Sequence, residues 1–412
     1  MHAEYLSRTP ASRRMHERLL EVLPGGETRS VTHYEPYPVA LEAGAGSAVW
    51  DVDGNRYIDV LNNYTSLVHG HGYPPILEAV ARATASGVAF PAPHRALLAL
   101  AEYLVARYPA VDLIRFTNSG TEAALLGLRI ARNYTGRQAI VLFEGGYHGT
   151  AAQFIDPDPS VRRVPFNDAA ALREAVNDRT AAVFVEPFLG SGGVIAADTG
   201  FLAEIRDATL SVGALMVLDE VQSLRNHVSG AHGALNLEPD LVLMGKIIGG
   251  GTPVGAVGGR AELLLTTSAR NPHGILHSGT FNGNPLTMAA GLASMQHLDG
   301  PTISLLNRRA EGLAASIEEA GASLGIPAKV TRAGSILHVH LPPDLPGNGE
   351  MEAHRVTETS SLHLALLLEG VYSAPRGMLN LSTVLSEADL SEVAAAYARA
   401  LARLAVALTG VV

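Results

Sequence analysis

The middle of the chain alternates short apolar runs with amphipathic segments, and this alternation limits the folds that the sequence can adopt. The runs "LIRFT", "AIVLF", "TAAVFV", "ALMVLD" and "DLVLMG" have the length and the branched side chains of buried strands. Between them, "TEAALLGLRIARNY" and "FLAEIRDATLSVG" have the apolar spacing that predicts helices. Buried strands that alternate with helices predict a mostly parallel sheet covered on both faces, which is an α/β fold.

Both ends of the chain show a different pattern, which predicts a smaller α+β lobe. Near the N-terminus we predict a helix over about 12–22 and a hairpin that turns at Asp53-Gly54. After residue 300 come a helix, the strands of "KVTRAGSILHVHL", a Pro- and Gly-rich loop, and a long helix after Ser386 with Asp389 placed as in a capping box. We predict an N-terminal segment over 1–60, a large domain over 61–299 and a small domain over 300–412.

The composition excludes several classes of function. Of the 412 residues 47% are hydrophobic, and the formal net charge of −10 argues against nucleic acid as a main partner. The chain has no cysteine, so disulfides, zinc–thiolate sites and thiol catalysis are excluded. The first twenty residues lack a signal-peptide core, and no apolar run approaches the ~18 residues that span a bilayer. We therefore expect a cytoplasmic protein that binds neither membranes nor nucleic acid.

Polar side chains follow the predicted strands at the points where they end. They are Ser119, Tyr147, Glu186, Asp219 and Lys246. In parallel α/β sheets, ligands bind beyond the carboxyl ends of the strands. We therefore expect these side chains to lie close together and to form the functional site.

Lysine is rare in this chain, which makes Lys246 a candidate nucleophile. Of the 30 basic residues only Lys246 and Lys329 are lysines, so arginine supplies almost every other positive charge. Unlike arginine, a lysine amine can lose its proton in a dry site and attack a carbonyl to form a Schiff base. The alternative is a loop lysine that merely reaches solvent.

Asp219, at the end of "ALMVLDE", has two possible uses. An acid here could bind magnesium in a nucleotide hydrolase, but that requires a G-x-x-x-x-G-K-[ST] loop, and neither lysine is followed by serine or threonine. The other use is to keep the ring nitrogen of pyridoxal 5'-phosphate (PLP) protonated, so that the ring can accept electrons. The spacing of 27 residues from Asp219 to Lys246 fits two successive strand ends.

The segments "NSGTEA" and "GGYHG" also follow strands. Ser119, Gly120 and Thr121 stand where a strand leads into a helix, which suits either a phosphate site or an ordinary helix cap. Tyr147 could stack on a flat ring. We expect no metal at His148, or at His69 and His71, because no ligand stands at metal-binding spacing from them.

Taken in order, the motifs resemble one family. The segments "NSGTEA", "GGYHG", "VEP", "LDEVQ", "MGKIIGGG" and "HSGTFNGNP" occur as they do in class III, fold-type I PLP-dependent aminotransferases, and the chain is also similar to their glutamate-1-semialdehyde aminomutase relatives. The resemblance runs from "GGETRS" to "SAPRG". It implies the fold-type I architecture, PLP as cofactor, and transfer of an amino group between an amine and a 2-oxo acid.

The resemblance also implies roles for individual residues. Lys246 would form the Schiff base and move protons, Asp219 would pair with the pyridine nitrogen, and Thr280 would reach the phosphate of the neighbouring subunit in a homodimer. The other implied cofactor contacts are the phosphate ligands Ser119, Gly120 and Thr121, the ring-face residues Tyr147 and Val221, the hydroxyl partner Gln222, and the supporting acid Glu186.

Within the family, the resemblance favours a β-amino-acid substrate. Arg29 in "GGETRS" and Arg376 in "YSAPRG" match carboxylate-binding arginines of β-phenylalanine-type aminotransferases, and Tyr64 matches a pocket residue. Aminomutases typically carry a "QFEAGF"-like segment where this chain has "PRGMLN", and Gln222 replaces a methionine that is usual in both subgroups. The aminomutase reaction stays open as an alternative, as does a nonenzymatic or nucleotide-binding α/β protein.

Overall fold

The computed structural model describes residues 1–198, 200–341 and 357–409. The Pro- and Gly-rich loop predicted over 342–352 lies outside these ranges. The strands are β1 (Leu41–Ala45), β2 (Ala48–Asp51), β3 (Arg56–Asp59), β4 (Leu113–Thr117), β5 (Ala139–Phe143), β6 (Val161–Val164), β7 (Thr180–Val185), β8 (Phe188–Leu189), β9 (Ile195–Ala196), β10 (Leu215–Asp219), β11 (Leu241–Gly245), β12 (Gly255–Gly259), β13 (Lys329–Ala333), β14 (Ile336–His340), β15 (Val371–Tyr372) and β16 (Met378–Asn380).

The described chain also forms α-helices. They are α1 (His2–Arg8), α2 (Pro10–Leu20), α3 (Asn62–Thr65), α4 (Pro74–Ser86), α5 (Arg95–Arg107), α6 (Gly120–Thr135), α7 (Ala152–Ile155), α8 (Ala169–Ala175), α9 (Phe201–Val212), α10 (Gly230–Ala234), α11 (Ala261–Leu264), α12 (Pro285–Gln296), α13 (Gly300–Ser323), α14 (Thr357–Leu368) and α15 (Glu387–Thr409).

A seven-stranded sheet in the order β4-β12-β11-β10-β7-β5-β6 forms the centre of one structural unit. β10 pairs in parallel with β11 and β7, and β5 pairs in parallel with β7 and β6. β12 is antiparallel to both of its neighbours, which makes β4 parallel to the remaining strands. The predicted mostly parallel sheet is therefore confirmed, with β12 as its exception.

Successive residues of these strands enter two separate cores. Ile140, Phe184 and Val217 belong to a cluster that includes the buried side of α6. Their neighbours Val141 and Val183, among others, belong to a second cluster on α8 and α9. Both faces of the sheet are thus buried, which explains why the strands are apolar throughout instead of alternating.

Glycine in β12 permits close contact with the loop that follows β4. A Cβ atom added at Gly255 would lie 2.0 Å from the carbonyl oxygen of Ser119. One added at Gly258 would lie 2.7 Å from Val111 Cγ1. Only glycine therefore allows β12 to lie between β4 and β11, where it holds Ser119 at the edge of the sheet.

The second unit is built from both ends of the chain, as predicted. Met1–Tyr73 clusters with the described residues 305–341 and 357–409, and Pro74–Ser304 forms the unit with the seven-stranded sheet. β2 and β3 form the predicted antiparallel hairpin, and Gly54 adopts a φ of +86° in its turn. The division into separate domains with boundaries at residues 60 and 300 stays a prediction.

The long C-terminal helix α15 begins with the predicted capping box. Ser386 Oγ accepts the N–H of Asp389 at 3.1 Å, and Asp389 Oδ2 accepts the N–H of Ser386 at 2.9 Å. The apolar stretch "LHLALLLEGV" is a buried helix, α14, followed by a short strand. Over the described part of the chain, no helix has the length and apolar content needed to cross a bilayer.

Candidate active site

The parallel sheet brings five sequence-predicted residues to one edge. Asp219 is the last residue of β10, and Lys246 and Glu186 follow β11 and β7 directly. Ser119 and Tyr147 lie in the loops after β4 and β5. Because these strands run in the same direction, their carboxyl ends meet at this edge.

Asp219 is buried and fixed through both of its carboxylate oxygens. Oδ2 lies 2.8 Å from Nδ1 of the buried His148, and Oδ1 accepts the N–H of Val221 at 3.0 Å. Burial alone would lower the pKa of His148, but the hydrogen bond and the charge of Asp219 outweigh burial and raise it. His148 thus fixes the position of the Asp219 carboxylate.

Glu186 is the second buried acid at this edge. Its Oε2 accepts the N–H of Tyr147 at 2.9 Å, and its Oε1 accepts the N–H of Gly190 at 3.1 Å. Burial raises the pKa of Glu186 to about 7; His148 opposes this shift, and the charge of Asp219 adds to it. Glu186 therefore anchors the backbone of the loop that carries Tyr147.

The start of helix α6 combines an N-cap with unused backbone donors. Ser119 Oγ accepts the N–H of Glu122 at 3.1 Å, so the N-cap interpretation of this serine is confirmed. Within the described chain, no acceptor is found for the N–H groups of Gly120 and Thr121, which precede the first intrahelical bonds. Two donors at the positive end of a helix dipole can bind an anion such as a phosphate.

Val221 packs against both the start of α6 and the end of β11. A Cβ atom added at Gly120 would lie 3.4 Å from Val221 Cγ1, and one added at Gly245 would lie 3.2 Å from the same atom. Val221 thus lies between the start of α6 and the residue that precedes Lys246. A branched side chain here provides an apolar surface beside the charged groups.

The side-chain amide of Gln222 packs against Gly190. A Cβ atom added at Gly190 would lie 2.3 Å from Gln222 Nε2. The buried Oε1 of Gln222 has no hydrogen-bond partner among the residues that the structure describes. A buried acceptor without a donor costs about 1–3 kcal/mol, so a ligand hydroxyl at this point would restore the missing bond.

Lys246 has a left-handed backbone, with φ of +51°. It opens the short 3-10 turn Lys246–Gly249 directly after β11, and its side chain is partly buried. Residues other than glycine rarely adopt this conformation, which costs about 1–3 kcal/mol and is concentrated at functional sites. The strand end therefore holds Lys246 in a strained position.

Two further predicted cofactor residues have exposed side chains. Tyr147 is 43% exposed. Thr280, in the turn before α12, is also exposed, and its neighbour Phe281 is 61% exposed.

The three predicted substrate residues lie together in the unit formed by the chain ends. Arg29 Nη1 donates to Asn63 Oδ1 at 2.8 Å, and its guanidinium lies 5.7 Å from the ring centroid of Tyr64. Burial raises the pKa of Tyr64, while the charges of Arg376 and Arg29 oppose that shift. Arg376 makes no hydrogen bond or ion pair to any acid within residues 1–198, 200–341 and 357–409.

Comparison with known proteins identifies the family. The sequence profile of class III aminotransferases (Aminotransferase class-III) matches residues 30–156 and 157–390. The chain belongs to the class III aminotransferase family. It is 37% identical to a β-phenylalanine transaminase of Variovorax paradoxus, over 96% of this chain and 93% of that protein.

Two further relatives support this assignment. A glutamate-1-semialdehyde 2,1-aminomutase 2 of Geobacillus kaustophilus is 34% identical, over 95% of this chain and 98% of that protein. The crystal structure of an ω-transaminase from Sphaerobacter thermophilus superposes with a TM-score of 0.91 at 37% identity, covering 96% of this chain and 99% of that chain. The aminotransferase thus has the fold-type I architecture, and the nonenzymatic and nucleotide-binding alternatives are excluded.

PLP is the cofactor of this family, and the site of the aminotransferase fits it. The buried Gln222 Oε1 lacks a donor, which the ring hydroxyl would supply, and the N–H groups of Gly120 and Thr121 suit the phosphate. The buried carboxylate of Asp219 suits a protonated ring nitrogen. When bound, PLP supplies a ring that accepts electrons from the reacting bond.

Two residues of this site have weak signals in the sequence. The sequence predicts no metal at His148 and assigns this histidine no place in the site, yet it is the hydrogen-bond partner of Asp219. Its position next to Tyr147, in a loop already assigned to the site, was the available signal. Gly190 was also missed, because the close approach of Gln222 is visible only in three dimensions.

The raised pKa of Glu186 predicts a pH-dependent stability for the cofactor-free aminotransferase. Between the ordinary pKa of 4.5 and about 7, the folded chain retains a proton that the unfolded chain has released. The free energy of unfolding should therefore fall by about 3 kcal/mol as the pH rises through this interval. Thermal unfolding from pH 4.5 to 8 measures this dependence, and Glu186→Gln should flatten it. Equal slopes in both proteins would contradict the assignment.

Proposed function

We propose that this enzyme transfers an amino group between a β-amino acid and a 2-oxo acid, using PLP bound to Lys246. The observation that supports the substrate class is the group formed by Arg29, Tyr64 and Arg376. The β-phenylalanine transaminase relative supports the same class.

We assign the cofactor contacts to the residues at the strand ends. Lys246 Nζ would hold PLP covalently, and as a free amine it would serve as the base that accepts the proton of the amine-bearing carbon and returns it. Asp219 would keep the ring nitrogen protonated, with His148 holding its carboxylate in place. The further proposed contacts are Ser119, Gly120 and Thr121 to the phosphate, Tyr147 and Val221 on the ring faces, Gln222 to the ring hydroxyl, and Glu186 as support for the Tyr147 loop.

Arg376 is the stronger of the two candidate carboxylate ligands. Its guanidinium is partly buried and has no acid partner in the described ranges, and a planar guanidinium binds a carboxylate through two parallel hydrogen bonds. Arg29 is exposed, but Asn63 and Tyr64 restrict its orientation. Two arginines beside one tyrosine form a positive group that suits an anionic substrate.

A half-reaction tests this proposal. The holoenzyme would be mixed with β-phenylalanine, α-phenylalanine or 1-phenylethylamine, without any oxo acid, while the absorbance of the bound cofactor is followed. We expect rapid conversion by β-phenylalanine. Arg376→Gln should reduce kcat/KM for β-phenylalanine about tenfold to a hundredfold, because a hydrogen bond to a charged group is worth about 1.5–3 kcal/mol.

The matched control for this experiment is Arg14→Gln. Arg14 is an exposed arginine of α2 in the same unit, and its replacement should leave every rate unchanged. Faster conversion of 1-phenylethylamine than of β-phenylalanine would refute the substrate class and assign both arginines to structural roles.

The aminomutase relative supports a second candidate, in which the amino group moves within one molecule. The two reactions differ in their need for a second substrate. An aminomutase would convert glutamate-1-semialdehyde without added oxo acid, whereas the proposed aminotransferase would stop after one turnover. Chromatography of the products distinguishes these outcomes.

We further propose a homodimer in which Thr280 contacts the phosphate site of the neighbouring subunit. Thr280 is exposed, and the nearby Leu276 and Phe281 are 82% and 61% exposed. Apolar side chains this exposed are typical of surfaces that a partner covers. A molar mass of one chain, measured by light scattering, would contradict the dimer.

The predicted location of the enzyme is the cytoplasm. Cell fractionation tests this prediction.

A further inference from the structure

The segment Asn62–Thr65 forms a left-handed turn made entirely of residues other than glycine. Its φ values are +49°, +48°, +56° and +74° along the chain. A left-handed conformation costs L-residues roughly 1–2 kcal/mol each, and Thr65 is β-branched, for which the conformation is least favourable. A strained run of this length persists only where the surrounding structure holds it.

Asp59 holds the start of this turn. Its Oδ1 accepts the N–H groups of Leu61 at 2.7 Å and Asn62 at 2.8 Å. Its Oδ2 lies 2.7 Å from His71 Nε2, and the carboxylate is buried. Because both oxygens are used, the chain direction at residue 62 is fixed.

A pair of buried asparagines links the turn to β16. Asn62 Nδ2 donates to the carbonyl of Asn380 at 2.9 Å, and Asn380 Nδ2 donates to the carbonyl of Leu61 at 2.6 Å. β16 begins two residues after Arg376. The same link therefore fixes the turn and the strand that leads away from Arg376.

The turn presents Asn63 to Arg29. Asn63 Oδ1 accepts Arg29 Nη1 at 2.8 Å, and the next residue, Tyr64, places its ring 5.7 Å from the same guanidinium. The Tyr64 hydroxyl donates to the carbonyl of Val31, two residues after Arg29. Asn63 and Tyr64 thus both restrict Arg29, and among the described residues only Asn63 makes a hydrogen bond to its guanidinium.

We propose that Asn63 is a positioning residue for substrate recognition: the left-handed turn aims its side-chain amide at Arg29 and so orients the guanidinium toward a substrate carboxylate. The inference rests on the proposed carboxylate recognition by Arg29. A neutral acceptor suits this task, because it orients the guanidinium without cancelling its charge. An aspartate at position 63 would orient Arg29 but compete with the substrate for it.

Asparagine at position 63 has an alternative explanation, which is its tolerance of the left-handed region. The variant Asn63→Gly separates the two explanations. Glycine adopts this φ without steric cost, so the backbone of the turn is kept while the amide loses its bonds to Arg29 and to Ser66 Oγ. If only backbone tolerance matters, the variant should behave like the wild-type enzyme.

The experiment measures steady-state kinetics with β-phenylalanine as the amine. We expect Asn63→Gly to raise KM about tenfold and to leave kcat within about twofold, because the lost hydrogen bond would orient the arginine that binds the substrate. The thermal unfolding midpoint and the cofactor absorbance should stay unchanged. Asn63→Asp should also raise KM, and added salt should reduce this effect by screening the new charge.

An Arg29→Gln variant separates failure of this inference from failure of the proposed function. If Arg29→Gln raises KM and Asn63→Gly does not, Asn63 has no positioning role and the inference is overturned. If neither variant changes KM, Arg29 does not bind the substrate carboxylate. That part of the proposed function is then wrong, and the inference about Asn63 is overturned with it. A rise in KM for both variants supports the inference.

Discussion

Replacing Lys246 by alanine is expected to abolish transamination, with kcat reduced by at least about four orders of magnitude. The variant loses the amine that would hold PLP covalently and the base that would move the proton, and proton transfer alone contributes a factor of about 10²–10⁴. Borohydride reduction followed by intact-mass spectrometry measures the attachment directly. The wild-type chain should gain the mass of a reduced pyridoxyl phosphate, and the variant should not.

Two further variants make the Lys246 result specific. Lys329→Ala removes the only other lysine, which is exposed on β13, and should leave activity and covalent attachment unchanged. Lys246→Gly removes the amine without the penalty that alanine incurs at φ of +51°, so it excludes a backbone effect. Attachment of the cofactor to either Lys246 variant would refute the assignment.

The residues that lie together at the strand ends could be predicted from the sequence, because their position follows from the topology of a parallel sheet. Short apolar runs in a parallel sheet end at one edge, so the polar residue after each run can be placed without any coordinates. Asp219, Glu186 and Lys246 were identified in this way, and they lie at that edge in the structure. Only β12 departs from the simple pattern, since its antiparallel direction has no signature in a run of five residues.

The supporting contacts could not be predicted, because they join residues that are distant in sequence. His148 and Asp219 are 71 positions apart, and the contact between Asn62 and Asn380 spans 318. The left-handed turn at Asn62–Thr65 has little sequence signal beyond its two asparagines, because "NNYT" contains no glycine and ends in a β-branched threonine. Tertiary contacts impose such conformations against the local preference of the residues. Predictions from local sequence therefore fail at these positions.

Replacing Asp219 by asparagine is the second variant with a large expected effect. Asparagine has the same shape, but it cannot stabilise a positive charge on the ring nitrogen of PLP. Removing one partner of a buried charge pair costs about 3–5 kcal/mol, which predicts a loss in kcat of about 10²–10⁴. The matched control is Glu144→Gln, an exposed acid after β5 at the same edge of the sheet, which should keep full activity.

A modified cofactor tests the reason for this loss. PLP methylated on the ring nitrogen has a permanent positive charge, so it no longer depends on a neighbouring carboxylate to keep a proton. Reconstitution with this analogue should restore part of the activity of Asp219→Asn while it gives the wild-type enzyme no advantage. If the analogue restores nothing, Asp219 acts through the position of His148 and the strand end instead of through its charge. Because His148 holds Oδ2 of Asp219 at 2.8 Å, a His148→Ala variant would then show a comparable loss.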